Sequence, residues 1–440
     1  MHTIHKIAYA NPSKLRNFAP DFRLYKVDQD SLKSALEQIP KAEKNTKNFL
    51  RIKLGIFLSG LSVFAQLYLF QPLLPELCRY YDITPEHSSL AVSAGTVGMA
   101  IGLFIFAFWA DRIQRKKLMV ISIILASILT ISSSFAPNFE FLILLNLLKG
   151  VALSGVTAVA LAYLSEEVSI GILGTAIGIY LSGNTIGGMS GRVITLLISG
   201  FSDWQTAVLG VGFLCLILGL TFSFIFPNSK HFYPQKLPLN EKLNMMKIFV
   251  KDRYLQGVFF IGFSVMGIFV SVYNYLSFRL EADPFSLPHS IIASVFLLYI
   301  VGVAGSMKAG KWSDKYSSKQ IIWRIIVITI IGLLLMLFSN IYVLIIGLVG
   351  VTFGFFASHT LASRMVSQRA PVSKSTATCL YWLFYYLGSS FVGSMSGKML
   401  SHFGWSGFIV SLVILAIVTL LIAVWIKFHK PKNLHLYNQH

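Results

Sequence analysis

Three ionisable side chains stand inside long apolar runs of this 440-residue chain: Lys149, Arg192 and His359. A base at the centre of a membrane helix costs about 2.5–3.5 kcal/mol, so such a residue is a candidate for binding rather than an accident. Lys149 follows Asn146 by three positions, which puts both on one helix face. An ammonium beside an amide suits an anionic group; the bland alternative is a lysine that snorkels to the nearer interface. The imidazole of His359 titrates near neutrality and suits proton coupling, or else it is neutral and hydrogen-bonded between helices. Arg192 lies nearer a helix end and reads as an interhelical structural residue. Gln66, Gln71, Asn184 and Asn274 are amides within apolar runs, with Tyr273 and Tyr385 as aromatic partners. An apolar cavity with a few placed polar groups is the usual small-molecule site, although each amide equally suits a packing hydrogen bond. All 18 Asp and Glu fall in tails, loops or helix ends. That absence turns the expected cargo towards anionic or neutral molecules. There is no phosphate-cradling Gly-rich loop with Lys-Ser/Thr, no His-Glu-x-x-His and no carboxylate pair on one helix face. The sequence therefore argues against ATP-driven or hydrolytic chemistry, predicts no cofactor and no metal, and leaves a gradient as energy source.

Residues at such depth need membrane helices to hold them. The chain is 55% hydrophobic and 12% charged, with mean hydropathy +0.68. A soluble domain carries about 25% charged residues, so this composition is that of a polytopic membrane protein. Apolar runs cover 52–75, 88–110, 117–136, 139–164, 170–198 and 205–226, then 255–280, 289–311, 320–339, 341–364, 375–400 and 405–427. Each is near the ~20 residues that cross a ~30 Å bilayer core. The expected domains are an extension at 1–50, a six-helix bundle at 51–226, a linker at 227–253, a second bundle at 254–428 and a tail at 429–440. Ser31 to Ile39 could form a short helix within the extension.

The net charge of +19 suggests nucleic acid until the charges are placed. Of the 37 Lys and Arg, all but Arg79, Lys149, Arg192, Arg279 and Lys398 fall in the tails or in loops that alternate onto one side. This is the positive-inside pattern, and it puts both termini in the cytoplasm. Cys78, Cys215 and Cys379 are far apart, with no pairing or metal spacing.

The two halves repeat. Trp109 and Asp111 recur as Trp312 and Asp314, each 203 positions on, and Met-Ser-Gly-Arg192 recurs as Met-Ser-Gly-Lys398. Gly183, Gly187 and Gly191 share one helix face, as do Gly150, Ser154, Ala158 and Ala162. Small faces allow close helix contact in lipid, and their recurrence in both halves suits two bundles that move against each other.

Twelve helices, a six-plus-six split and the duplicated Asp-base loop resemble the major facilitator superfamily from Arg51 to about Lys427. The loop after the second helix is similar to that family's Gly-x-x-x-Asp-Arg-x-Gly-Arg-Lys motif: Asp111, Arg112, Arg115 and Lys116 fit, while Ala107 and Gln114 replace its glycines. Gln71-Pro-Leu-Leu-Pro75, Leu164-Ser-Glu-Glu167 and Tyr385-Tyr-Leu-Gly-Ser-Ser390 add to the likeness. The resemblance implies an all-α fold of two pseudo-symmetric six-helix bundles. It implies that Asp111 latches onto the opposite bundle, that Asp314 does likewise in the copy, and that Arg112 pairs with Glu166 or Glu167. Helices one, four, seven and ten would line the cavity. Two positions depart from the drug–proton antiport pattern: Asn146 stands where an arginine is usual, and Asn184 where a proline is. The expected activity is alternating-access transport of a small organic molecule by a monomer in a bacterial inner membrane, most simply proton-coupled efflux. The alternatives are a facilitator or importer of organic anions, and a transporter-like sensor.

Overall fold

The computed structural model describes residues 40–232, 239–370 and 374–429; the side chains of Asp111 and Asp314 are outside that description. So are residues 1–39 of the N-terminal extension, including Ser31 to Ile39, and all but the first residue of the tail. The chain divides into two units, Met1–Lys41 and Ala42–His440, and every described helix lies in the second.

α1 (Lys47–Tyr68) starts at Thr46, whose hydroxyl accepts the Phe49 N–H at 3.2 Å. It stops where prolines enter. Proline has no N–H to give to the preceding turn, so the chain takes a 3-10 turn at Gln71–Leu73 before α2 (Leu74–Tyr81). The single run expected over 52–75 is thus two helices joined at Pro72. α3 (Pro85–Ser88), α4 (Leu90–Trp109), α5 (Arg115–Ser133), α6 (Phe139–Glu167), α7 (Ile170–Ser199) and α8 (Trp204–Ile225) complete the first bundle. Asn138 and Asp203 cap α6 and α8 by accepting the N–H groups of Phe141 (2.9 Å) and Thr206 (2.7 Å).

The linker contains a helix of its own, α9 (Leu239–Lys251). The second bundle holds α10 (Arg253–Glu281), α11 (His289–Val295), α12 (Tyr299–Lys315), α13 (Ser318–Leu335), α14 (Ile341–Arg369) and α15 (Lys374–Phe428). A 3-10 turn at Phe296–Leu298 joins α11 to α12 as one crossing. α15 is two crossings, because Gly404 at φ 64°, ψ −167° turns the chain within it, a conformation that glycine adopts without steric cost. Among the described residues, 10 helical stretches are long and apolar enough to span a bilayer, α15 counting once. α7, with 30 residues rich in Gly, Ser and Thr, is a further span of ample length. Together these make the twelve crossings of two six-helix bundles.

The pseudo-symmetry is visible in individual contacts. A Cβ on Gly183 of α7 would strike the Phe57 carbonyl of α1, and one on Gly388 of α15 would strike the Phe263 carbonyl of α10. Gly98 on Leu147 of α6 is matched by Gly305 on Phe353 of α14. These contacts correct an expectation. Gly187 and Gly191 press on the α1 backbone at Leu61 and Ala65, inside the first bundle, and Gly150 presses on Gly95 of α4. The small faces of α6 and α7 lock helix pairs within the first bundle, whereas Gly397 of α15 abuts the Glu86 backbone of α3 across the junction.

Candidate functional site

The loop expected to act as a latch folds as a 3-10 turn, Ala110–Arg112, at the start of α5. Arg115 is the first residue of α5, and its side chain leans back over that turn, as helical side chains do. It donates to the Ala110 carbonyl at 2.8 Å and pairs with Glu166 at 2.9 Å, with the Phe232 ring 4.8 Å from the guanidinium. Arg112 is exposed and takes neither Glu166 nor Glu167, so the ion pair expected of it belongs to Arg115. Glu167 accepts the backbone N–H groups of Lys230 (2.5 Å) and His231 (2.8 Å) and faces His231 Nδ1 at 3.0 Å. It pins the start of the linker to α6. Asp252 anchors the other end: it accepts the Leu255 N–H at 3.0 Å and pairs with Arg369 at 2.7 Å.

The residues expected to line a cavity separate into three places. Gln66 donates to the Ser62 carbonyl and accepts from Thr130 at 2.9 Å, so it ties α1 to α5 inside the first bundle. Asn146 donates to Leu142 at 3.0 Å, leaving its Oδ1 without a partner, and Asn184 packs against Gly60 with its Oδ1 also unpartnered. Lys149 is 1% exposed, and its Nζ has no hydrogen-bond partner, lying 4.9 Å from the Phe70 ring centroid. It does not snorkel.

His359 and Tyr385 share an aromatic nest in the second bundle. His359 Nδ1 is 2.8 Å from the Tyr381 hydroxyl, and its ring lies 4.9 Å from Tyr385 and 5.2 Å from Trp382. The imidazole is thus hydrogen-bonded within its own bundle, on α14 against α15.

Gln71 and Asn274 meet where the bundles touch. The break at Pro72 frees the Gln71 side chain, whose Nε2 donates to Asn274 Oδ1 at 2.7 Å and to the Val270 carbonyl at 3.2 Å. Its Oε1 accepts from Arg192 Nε at 2.6 Å. Arg192 is 1% exposed, donates also to the Gly188 carbonyl, and lies 4.6 Å and 4.5 Å from the ring centroids of Tyr68 and Tyr299. Tyr299 is in the other bundle. Arg192 therefore stands at the junction of the halves rather than only between helices of one.

Further contacts close the same end. The Ser93 and Thr96 hydroxyls of α4 meet those of Ser394 (2.7 Å) and Ser390 (2.6 Å) on α15. Arg79 donates to Glu281 at 2.9 Å, His289 faces Glu281 at 3.4 Å, and Lys398 lies 3.4 Å from Glu86. The sequence reading missed the Arg79–Glu281–His289 group, whose members look like unrelated loop charges until the bundles are placed.

Towards the other end the facing surfaces part. Gly171, Gly178, Arg192 and Ser199 follow one another at seven, fourteen and seven residues, so they lie near one face of α7. Arg192 and Ser199 on that face meet Tyr299 and His289, whereas Gly171, Gly174 and Gly178 have nothing within 4 Å of an added Cβ. On α12, Gly310 follows Tyr299 by eleven residues, about three turns, and it too has nothing within 4 Å. The same two helix faces touch near Arg192 and stand open near Gly171.

Two helical bundles joined at one end around a few buried polar groups are the framework of a membrane carrier. The model of the Major Facilitator Superfamily matches residues 56–393, and the chain belongs to that family. An "Uncharacterized transporter" of Buchnera aphidicola subsp. Schizaphis graminum is 38% identical over 385 residues, 88% of this chain and 93% of that protein. The "Inner membrane transport protein YnfM" of Escherichia coli K12 is 35% identical over 380 residues, 86% and 91% of the two chains. Among solved structures, a bacterial homologue of the human lysosomal transporter Spinster, in an inward-facing and unoccupied conformation, has the same fold. Its TM-score is 0.69 at 16% identity, covering 88% of this chain and 96% of that one. The protein is thus a multi-pass membrane transporter and not an enzyme.

Proposed function

We propose that the protein is a proton-coupled secondary carrier that exports a small organic anion by alternating access. The observation that carries the reading is the pair of α7 and α12 faces, in contact at Arg192–Tyr299 and open at Gly171, Gly174, Gly178 and Gly310. Rocking the bundles about that junction would close the open end and part the other. With the basic loops and both termini on the cytoplasmic side, the open end faces the cytoplasm and Arg79–Glu281 seals the outer face. The bacterial inner membrane is the setting, and a monomer is sufficient. The anionic cargo is supported by Lys149 and Arg192, bases at membrane depth with no carboxylate paired to them among the described residues. Asn146, Gln66, Asn184 and Tyr385 are assigned to the walls around the cargo path, with His359 as an inner proton site. Asp111 and Asp314 are assigned to steadying the inner end when it closes.

Proton exchange is supported by Glu281. It bridges the bundles through Arg79 on α2, with His289 of α11 as its second partner; Glu76 and Asp203 complete the charged cluster. While Arg79 is paired to it Glu281 stays ionised, so it would take a proton from outside only as the bundles part and Arg79 leaves, which couples proton uptake to opening of the seal. The test is flux in proteoliposomes. An imposed proton gradient should drive accumulation of a labelled organic anion, and unlabelled anion on the far side should accelerate exchange. Flux that neither saturates nor shows counterflow would sink the carrier. Saturable flux indifferent to the gradient would remove the proton coupling alone.

A further inference from the structure

We infer that Arg192, the hydroxyls of Tyr68 and Tyr299 and the amide of Asn274 form a seat for the carboxylate of a planar, apolar-bodied molecule. The inference rests on the carrier reading and adds the chemical class of its cargo.

The guanidinium of Arg192 is buried with no acidic partner among the described residues. Its Nε donates to Gln71 Oε1 and its Nη1 to the Gly188 carbonyl, while Nη2 donates to none of the described residues. Ring stacking offsets part of the burial cost but supplies no counter-charge. The groups around it lack partners too, and all lack them on the donor side. The Tyr299 hydroxyl and Asn274 Nδ2 are buried without a hydrogen bond, the Tyr68 hydroxyl has only the Ser389 hydroxyl beside it, and Asn274 Oδ1 is satisfied. A buried donor left unmade is costly, and native structures rarely leave several together. One missing partner would satisfy this set: an acceptor with a full negative charge.

The shape selects among anions. Arg192 lies against two tyrosine rings, and a planar guanidinium edge matches a carboxylate as a two-pronged fork. Beyond Tyr299 the wall is aromatic: Phe269 and Tyr273 approach it at 5.3 and 4.8 Å, and Phe356 at 6.0 Å. Phe269, Tyr273 and Tyr299 are buried against one another, so a planar hydrocarbon body would stack on them as the bundles part, while such a wall gives a tetrahedral, heavily hydrated phosphate nothing to bond. The seat is also divided. Tyr68 and Arg192 come from the first bundle, Asn274 and Tyr299 from the second, so a carboxylate there would bind differently in the two conformations. That difference is what lets a cargo bias an equilibrium between them.

The test uses the full-length protein in detergent with phenylacetate and cinnamate, their neutral amides, and inorganic phosphate. Melting temperature and titration report binding, and counterflow in proteoliposomes reports transport. The acids should stabilise the protein, and the amides and phosphate should not. Tyr299→Phe removes a hydroxyl that bonds nothing here, so the unliganded melting temperature should hold or rise while the acids bind about fivefold more weakly. Arg192→Lys, which keeps the charge and loses the fork, should weaken binding about tenfold or more. The inference is overturned if amides stabilise as well as acids, if no acid stabilises, or if both variants bind the acids like the wild type. Binding decides the seat and counterflow decides the carrier, so either can fail alone. Undiminished flux of an amine in Arg192→Lys, for example, would leave a carrier without this seat.

Discussion

Lys149 is the residue for which stability and activity should move in opposite directions. Its ammonium is 1% exposed and has no hydrogen-bond partner. A lysine held at mid-membrane costs about 2.5–3.5 kcal/mol. The Phe70 ring at 4.9 Å returns part of this, about 0.5–2 kcal/mol for a desolvated cation–π contact. Lys149→Met keeps an unbranched chain of similar length that fills the same space without a charge. The two terms leave a net gain of about 0.5–3 kcal/mol for the variant. The assay is reversible unfolding in mixed micelles, followed by tryptophan fluorescence, with organic-anion flux measured in parallel. A methionine variant that is more stable but transports less would mean that the lysine is kept for the cargo at the expense of the fold. A variant destabilised by about 1 kcal/mol or more would refute the reasoning, because it would show that Nζ has a favourable partner in the resting state.

A packed glycine and an open one should respond with opposite signs. Gly388→Ala drives a methyl into the Phe263 backbone and should cost about 1–3 kcal/mol. Gly178→Ala meets nothing within 4 Å and should gain about 0.5–1 kcal/mol in an unfolding assay, while slowing flux if that face must close. Arg115→Ala breaks a buried contact to Glu166 and Ala110 and should lose about 1–3 kcal/mol. Arg112→Ala should stay within about 0.5 kcal/mol of wild type by the same melting measurement; equal losses would restore the pairing expected from the motif. Glu281→Gln removes a pair whose arginine is 60% exposed, worth about 0.2–1 kcal/mol. Spin labels across the Arg79 end should therefore report a rise of up to about fivefold in the separated population, and no change would unseat Glu281 as a gate.

The helices and their duplication were legible because hydropathy and spacing are local quantities. What a small-residue face packs against is not local. Gly187 and Gly191 need a close neighbour, and contact within a bundle satisfies that need as well as contact between bundles would. The base cluster after α4 was equally ambiguous, since Arg112 and Arg115 stand three residues apart and only the 3-10 turn decides which one reaches Glu166. The repeated tetrad misled in another way. Met-Ser-Gly-Arg192 and Met-Ser-Gly-Lys398 suggest equal roles, yet Arg192 is buried and the Lys398 side chain is 44% exposed beside Glu86.

The junction of the bundles holds the reason for that asymmetry. Gln71, at the break after α1, and Asn274 of α10 are hydrogen-bonded to each other across it. When two bundles are related by a two-fold axis along the membrane normal, equivalent helices meet each other only close to that axis, and α1 and α10 are equivalent by the matched contacts of Phe57 and Phe263. The pair therefore lies near the axis, and groups bonded to it lie at the centre of the junction. Arg192 is bonded to Gln71 directly. The copy of this arrangement is incomplete because α10 runs unbroken through Asn274, whereas the first bundle breaks at Pro72 just after Gln71. One base at the axis, bonded to the broken half and stacked on Tyr299 of the unbroken one, makes the centre of a two-fold fold asymmetric. An asymmetric centre is what a single small molecule, itself without two-fold symmetry, requires of the site that carries it.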